Sequence, residues 1–231
     1  MKFNHRNSLL FIALVILIAV ASLRSVRGYL LFPQQQSQPG TLAAYVEEAQ
    51  AQSVSQYSFP SGFHEYVVPE TWDEVLNNFS FVIAEPLEKR SYGTGNDTTI
   101  TSFYKFRILE TLRSRPAPFA VTNPPTDMSA PQPNEFFMFK WGGLLSLSGV
   151  QLVAEEPTFP EFTMGQQYLM VMQLDASSKM ANNALGPFGA YIINSNGTFE
   201  SISPNGSTFE TDLSTRYNNS INQLRAALST P

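Results

Sequence analysis

The chain has 231 residues, 43% of them hydrophobic, and a formal net charge of −5, which suits one domain with its own core. It contains no cysteine, and this excludes disulfides, thiol catalysis and cysteine-ligated metal sites. The acidic balance argues against nucleic acid and anionic lipid as partners.

The N-terminus has the pattern of an export signal. Basic residues precede an apolar run over residues 9–20, and Ala19-Val20-Ala21 has the small-x-small pattern of a cleavage site. Arg24 and Arg27 follow the run, so an uncleaved anchor is the alternative, although the run is short for a bilayer. We therefore expect residues 1–21 to be a signal peptide or membrane anchor. The protein would be exported, secreted or periplasmic, and would touch a membrane only through this segment.

Residues 22–69 predict a linker and a short helix. Residues 29–40 are rich in Gln, Ser, Pro and Gly and offer little to bury. Residues 42–51 favour a short helix, and an aromatic connector that contains His64 follows. His64 is the one histidine that signal cleavage would leave, so we assign it no role in catalysis or metal binding.

A domain is predicted over residues 70–231, beginning with a short helix. Thr71 and Glu74 have the spacing of a capping box, which marks the helix start. Strands are predicted over residues 79–87 and 100–112, with a polar turn over residues 91–97 between them. The second strand alternates, which predicts a solvent-facing side that includes Thr101 and Lys105.

Further strands are predicted over residues 136–141, 150–154 and 168–174. Six prolines between positions 116 and 133 predict a long irregular loop before them, and Gly142-Gly143 predicts a break or bulge. Residues 168–174 are apolar at nearly every position, which predicts a central strand buried on both faces.

The chain is predicted to end in a hairpin and a helix. Residues 191–193 and 199–202 flank Asn196-Gly197, a pair typical of a type I′ turn. Residues 213–228 carry an apolar stripe at three- and four-residue steps, which predicts one amphipathic helix that docks on the sheet.

In this order, the pieces resemble a group of exported bacterial proteins of unknown function. The matching segments are ETWDEVLNNFSFVIAEPL, SFYKFRILETL, WGGLLSLSGVQLV, TMGQQYLMVMQL and the terminal INQLRAAL. The resemblance implies a mainly β fold: an OB-like (TIMP- or netrin-like) antiparallel β-barrel with a short helix before the first strand and a C-terminal amphipathic helix. It transfers no catalytic residue.

The densest acidic group is Glu155, Glu156 and Glu161, just before the central strand. Paired carboxylates can perform acid–base chemistry when a cleft brings them together, but neighbours on an extended chain point to opposite sides. A solvated loop is therefore favoured. Aromatic residues at positions 136–141 beside Gly142 and Gly143 allow either a ligand face or a filled core, and the core is favoured.

These observations favour a non-enzymatic exported domain that acts as a binding or envelope-associated module. The alternative is a hydrolase that uses Glu155, Glu156 and Glu161. No catalytic residue, cofactor or metal ligand is assigned. The expected partner is an unknown protein or a small ligand, and not nucleic acid.

Overall fold

The elements of the structure are mostly strands. The computed structural model describes residues 40–61, 66, 69, 71–94, 97–116, 125–175, 177–182, 185–203 and 208–229. Its strands are β1 (Gln56–Pro60), β2 (Ser80–Thr94), β3 (Thr99–Arg113), β4 (Glu135–Trp141), β5 (Gly143–Leu147), β6 (Val150–Glu155), β7 (Tyr168–Asp175), β8 (Met180–Asn182), β9 (Ala190–Ile193) and β10 (Phe199–Ser201). Its helices are α1 (Leu42–Ala51), α2 (Trp72–Asn78), α3 (Thr208–Tyr217) and α4 (Ile221–Leu228), with a 3₁₀ turn at Gly186–Gly189.

The strands form two sheets. The larger sheet has seven strands in the order β10-β9-β7-β2-β3-β4-β8, and β7 also pairs with β8. The smaller sheet has three strands in the order β1-β6-β5. The prediction of a mainly β fold with helices before and after the strands is therefore confirmed.

β7 has the central place that its composition predicts. Leu169 and Val171 face one side of the sheet, Met170 and Met172 face the other, and all four are at most 1% exposed. The first side packs under α2, α3 and α4 and forms what we call the helix-side core, with members such as Phe81, Ile83, Leu169, Val171, Leu213 and Leu224. The second side forms the aromatic core, with members such as Tyr104, Phe106, Phe136, Met138, Phe159, Phe162 and Met170.

The helix α2 begins where the capping box predicts. The Thr71 hydroxyl accepts a hydrogen bond from the Glu74 backbone N–H at 3.2 Å, which satisfies one of the unpaired donors of the first turn. Trp72 and Val75 bury the helix against the helix-side core. The predicted short helix is confirmed.

The long hairpin of β2 and β3 corrects two predictions. Pairing continues to Thr94 opposite Thr99, so the polar turn predicted from residue 91 was wrong. Hydroxyl pairs join the strands there, Ser91 to Ser102 at 2.9 Å and Thr94 to Thr101 at 2.8 Å, and such cross-strand bonds stabilise a polar ladder.

The predicted solvent face of β3 is largely buried. Thr101 is 4% exposed and Lys105 is 8% exposed, whereas Arg107 is exposed as predicted. Lys105 is covered because Ser129, in the proline-rich segment, hydrogen bonds its ammonium group. A period of two therefore identified the face of Tyr104 and Phe106 but not what covers the other face. It also misplaced Leu112, which packs on the helix side because irregular pairing with β2 shifts the register near the end of β3.

The β9–β10 hairpin is confirmed, but its turn differs from the predicted type. A type I′ turn requires positive φ at both central residues. Gly197 has a φ of 78°, but Asn196 is not among the residues of positive φ. The Asn194 N–H donates to the Thr198 carbonyl at 2.8 Å, and the Gly197 N–H donates to the Asn194 carbonyl at 2.9 Å. The Asn196 side chain instead accepts from the Thr198 N–H at 3.0 Å, which selects a longer loop.

The single C-terminal helix predicted over residues 213–228 was wrong, since two helices meet at Asn218 and Asn219. Both asparagines have positive φ, 50° and 52°, a conformation that asparagine tolerates better than most residues. The break is fixed because the hairpin binds it: the Phe199 N–H donates to the Asn219 carbonyl at 2.8 Å. The predicted apolar stripe still buries Leu213 and Leu224.

The small sheet adds two strands, β1 and β5, that the sequence pattern did not predict. β1 pairs in parallel with β6, and β5 pairs with β6 through a two-residue turn at Ser148 and Gly149. Both turn residues have positive φ, as a type I′ turn requires. The helix α1, confirmed at its predicted bounds, packs on this sheet in a separate apolar cluster.

The described residues belong to one compact unit, Gly40–Pro231. The predicted signal or anchor segment, residues 1–21, and His64 lie outside the described residues. In the part of the chain that the structure describes, no helix has both the length and the apolar character needed to cross a bilayer.

Candidate functional site

Three neighbouring strands place polar side chains on one face of the large sheet. Lys89 pairs with Tyr104 across β2 and β3, and Ser102 pairs with Lys140 across β3 and β4. Paired residues of antiparallel strands point to the same side, and so do residues two apart. Lys89, Tyr104 and Lys140 therefore share the face that carries the aromatic core, at the edge of that core.

The segment after β6 brings Glu161 over these residues. Phe159 and Phe162 are 0% and 4% exposed, and both pack in the aromatic core. Phe162 lies edge-on to Tyr104, with ring centroids 5.1 Å apart. Because the two phenylalanines anchor the segment, Glu161 between them is directed to the polar side chains.

Glu161 joins the polar side chains into one cluster. Its Oε2 atom accepts hydrogen bonds from the Lys89 ammonium and the Tyr104 hydroxyl, and its Oε1 atom lies 3.5 Å from Lys140 Nζ. We call Lys89, Tyr104, Lys140 and Glu161 the cleft cluster. It holds two ammonium groups on one carboxylate.

The protonation states of the cluster follow from its surroundings. Burial raises the pKa of Glu161, but hydrogen bonds from Lys89 and Tyr104 and the charge of Lys140 outweigh it, so that this pKa lies below its ordinary value. Burial and the Glu161 carboxylate raise the pKa of the Tyr104 phenol. Glu161 is thus an ionised acceptor, and Tyr104 is a neutral donor.

Lys140 is the more buried lysine of the cluster, with its side chain 3% exposed against 28% for Lys89. Burial lowers the pKa of Lys140, and the attraction of Glu161 counters this only in part. The ammonium donates to the Trp141 carbonyl at 3.2 Å, and it lies 5.5 Å from the centroid of the Phe159 ring. The amine therefore sits against an apolar, aromatic wall.

The cluster borders a cleft of about 490 Å³. This volume is within the range of sites for small organic ligands. One wall is the β5–β6 hairpin, and the other is the segment that carries Glu161. The lining residues are Lys89, Lys140, Gly143, Leu144, Val153, Ala154, Glu155, Glu156, Pro157, Phe159, Pro160 and Glu161.

The bend between β4 and β5 places the β5–β6 hairpin as one wall of the cleft. Gly142 and Gly143 have φ values of 80° and 135°, which disfavour other residues. A Cβ at Gly143 would lie 2.1 Å from Ser102 Oγ. Ser102 in turn donates to the Gly142 carbonyl at 2.8 Å. The predicted break at these glycines is confirmed, and its physical reason is the close approach of β3.

The three predicted glutamates all line the cleft but differ in role. Glu161 belongs to the cleft cluster, Glu155 is exposed, and Glu156 accepts hydrogen bonds from Thr158 and, at 3.1 Å, from Ser61. The described hydrogen bonds to Glu156 come from hydroxyl groups, and its charge also raises the pKa of Lys140. The predicted solvated loop agrees with the exposure of Glu161, whose side chain is 47% exposed, but Glu155 is an exposed residue of β6 and Glu156 is only partly exposed.

Sequence reasoning missed Lys89, Tyr104 and Lys140. A signal existed for Lys140, since Phe136, Met138 and Lys140 alternate on one face of β4 and the first two are fully buried. A lysine that continues a buried face needs a partner or a function. The partner, Glu161, is distant in sequence and was not predictable from spacing.

The predicted aromatic ligand face divides between the two sides of β4. Phe136 and Phe137 are buried on opposite sides, Phe139 and Trp141 are partly exposed, and Gly143 alone of the predicted group lines the cleft. The aromatic residues therefore mainly fill the core.

A second charged network lies on the other face of the sheet. Lys105 lies 3.3 Å from Glu88, and Arg90 lies 3.1 Å from Asp127. Ser129 donates to Glu88 at 3.1 Å. These bonds fasten the proline-rich segment to β2 and β3, and Lys105 does not line the cleft.

Among the described residues, no group of three or more His, Asp or Glu side chains is placed to hold a metal ion. Comparison of the chain with models of protein families, with curated proteins and with solved structures returned no significant match.

Proposed function

We propose that this protein is an exported, non-enzymatic binding module, and that the cleft is its site for a small ligand. The observation that carries the proposal is the cleft itself, in which Leu144, Val153 and Phe159 form apolar walls beside fixed polar groups. Ligand sites typically combine an apolar cavity with a few placed polar side chains.

The OB-like barrel belongs to this proposal. Its support is that the strand pairings return to their start, through β2, β3, β4, β8, β7 and back to β2. The β4–β8 pair is parallel, and the other pairs of this circuit are antiparallel. A five-stranded circuit of this kind is what an OB-like barrel would have. Membership in the exported group named above rests on the order of its segments.

Export is inferred from the basic and apolar pattern of residues 1–21, which predicts a signal peptide or an anchor. The acidic composition supports a partner other than nucleic acid. The proposed partner is a small ligand with an apolar body, since most of the cleft lining is apolar.

A hydrolase is the second candidate, because Glu155, Glu156 and Glu161 line one cleft. Glycoside-type chemistry needs one carboxyl group of raised pKa as the acid and one ionised carboxylate, and the lowered pKa of Glu161 fits only the second role. Replacing all three glutamates by glutamine tests it: any hydrolysis by the wild-type chain that the triple variant loses would favour the enzyme.

The binding proposal is tested by a thermal-shift screen of a fragment library on three full-length chains. Val153 lines the cleft, so Val153→Trp should fill it. Gln151 lies on the same strand and the same sheet face, is exposed and does not line the cleft, so Gln151→Trp is the matched control.

We expect fragments that stabilise the wild type and Gln151→Trp alike and that fail to stabilise Val153→Trp. Fragments that stabilise all three chains equally, or no fragment that stabilises the wild type, would contradict a ligand site in the cleft.

A further inference from the structure

The buried amine of Lys140 is the least expected group in the cleft. Lysine is almost never fully buried without a strong partner, yet this side chain is 3% exposed and lines the cavity. Lys105 is buried to a similar degree, but it lies on the other face of the sheet and outside the cleft. Burial alone therefore does not explain why an amine is placed at this cavity.

The partners of Lys140 leave it able to lose its proton. Glu161 is its carboxylate partner, at 3.5 Å, but the same carboxylate is bound by the Lys89 ammonium and the Tyr104 hydroxyl. If Lys140 becomes neutral, Glu161 still has a counter-charge. Deprotonation of Lys140 therefore leaves no bare buried carboxylate, which would be costly.

The surroundings also favour the neutral amine. Burial and the charge of Lys89 lower the pKa of Lys140. An apolar pocket and a second cation near by are the two settings that turn a lysine into a nucleophile for carbonyl groups. Both are present at this position.

We propose that Lys140 forms a reversible imine with an aldehyde or ketone group of a ligand that has an apolar body. This inference rests on the proposed function, since the ligand would occupy the same cleft. Leu144, Val153 and Phe159 would surround the apolar body, and the carbonyl carbon would lie at Lys140 Nζ.

The reaction is a condensation without an oxidant or reductant. The Lys140 ammonium gives a proton to solvent while Glu161 stays ionised beside Lys89 and Tyr104, and the nitrogen lone pair attacks the carbonyl carbon. The electrons of the C=O π bond move to oxygen, and a proton passes from nitrogen to that oxygen to give a carbinolamine. A proton returned from solvent lets the hydroxyl leave as water while the C=N bond forms. One ammonium and one carbonyl give one protonated imine and one water.

The test uses hydrocinnamaldehyde, an apolar aldehyde, with sodium cyanoborohydride, which reduces an imine to a stable secondary amine. The chain has five lysines, so peptide mass spectrometry over time gives the labelling rate of each in one sample. We expect Lys140 to be labelled before Lys89, Lys105 and Lys179.

Two variants separate the site from its surroundings. Lys140→Arg keeps the positive charge but cannot form an imine, so the early adduct should be lost. Lys105→Arg changes the buried lysine outside the cleft and should keep the early adduct at Lys140. Circular dichroism reports whether each variant is folded. If Lys140→Arg is unfolded, the relative labelling rates of the lysines in the wild-type sample still test whether Lys140 forms the imine.

Labelling of Lys140 no faster than that of Lys105 and Lys179 would overturn the imine. If that result came with fragments that bind the wild type but not Val153→Trp, the imine would fail and the binding proposal would stand. Early labelling of Lys140 that persists unchanged in Val153→Trp would also contradict it, because the aldehyde would then not need the cleft.

Discussion

The helix-side core and the cleft are both closed by segments that fold over the large sheet, but they are closed by different chemistry. Over the helix-side core, α2, α3 and α4 contribute apolar side chains such as Trp72, Leu213 and Leu224. Over the cleft, the segment with Phe159 and Phe162 also contributes Glu161, which meets two lysines.

The difference between apolar and charged closure indicates which side chains the fold requires. Apolar side chains close the helix-side core, and buried charges are commonly neutral or unfavourable compared with apolar residues of similar volume. This contrast is the reason for the proposal that the charges at the cleft serve a ligand.

Leu169→Ala should be among the most destabilising single changes. Leu169 is 0% exposed in the helix-side core, and a buried leucine replaced by alanine costs about 2–5 kcal/mol through lost burial and a cavity. Urea unfolding measures the change. Leu144→Ala is the control at the cleft, since Leu144 is 45% exposed, and it should cost less than about 1 kcal/mol. Equal losses would contradict the contrast between the two regions.

Gly143→Ala should destabilise the bend that builds the cleft wall. A φ of 135° is a sparsely populated backbone conformation that costs an alanine about 1–3 kcal/mol, and its Cβ would also lie 2.1 Å from Ser102 Oγ. Gly149→Ala is the reference for a positive φ without a contact, because Gly149 has a φ of 80° and no atom lies within 4 Å of its added Cβ. A loss for Gly143→Ala no larger than for Gly149→Ala would show that the contact with β3 is unimportant.

The cleft cluster should respond unequally to loss of its two kinds of charge. Lys140→Met leaves Glu161 bound to Lys89 and Tyr104, so the free energy of unfolding should change by less than about 1 kcal/mol. Glu161→Gln leaves the Lys140 ammonium buried without a carboxylate, and should cost about 1–2 kcal/mol after discounting for the exposed half of Glu161.

Denaturant unfolding of both variants near neutral pH measures this difference. A larger loss for Lys140→Met than for Glu161→Gln would mean that the lysine serves mainly to stabilise the fold.

The ion pair between Glu110 and Arg225 should contribute least. Arg225 Nε and Nη2 lie 2.7 Å from the two carboxylate oxygens and tie α4 to β3, but both side chains are more than a third exposed. A double-mutant cycle with Glu110→Gln and Arg225→Gln should give about 0.2–1 kcal/mol.

This contribution should depend on pH with a defined sign. The hydrogen bond from Arg225 lowers the pKa of Glu110 from its ordinary value of 4.5. The stabilisation is therefore complete above pH 4.5 and is lost as the pH falls through the lowered pKa of the folded state. A coupling energy that grows on acidification would contradict the assignment.

The sequence predicted those parts of the fold that depend on local pattern. The helix at Thr71, the strand buried on both faces at Leu169 and Met170, and the bend at Gly142 each follow from capping, hydrophobicity or glycine chemistry. The break between the last two helices at Asn218 could not be predicted from local pattern, because it depends on the hydrogen bond from Phe199, in the distant β9–β10 hairpin, to the Asn219 carbonyl. The type of the turn at Asn196 was decided by a side-chain bond that composition does not reveal.

The candidate site was predicted only in part. Glu161 was noticed because it lies near other acidic residues, but its neighbours in sequence are not its partners. Lys89 and Lys140 reach it from β2 and β4, and strand register brought them there. Register and tertiary closure are long-range properties, so the residues that surround Glu161 required the structure.

The measurement that tests the central claim most directly is an NMR titration of the wild-type chain with a fragment from the thermal-shift screen. If the cleft is the ligand site, the largest shifts of backbone amides will lie in β5, β6 and residues 156–161, and they will vanish in Val153→Trp. Shifts centred on α3 and α4, or shifts that survive in Val153→Trp, would place the ligand elsewhere and contradict the account.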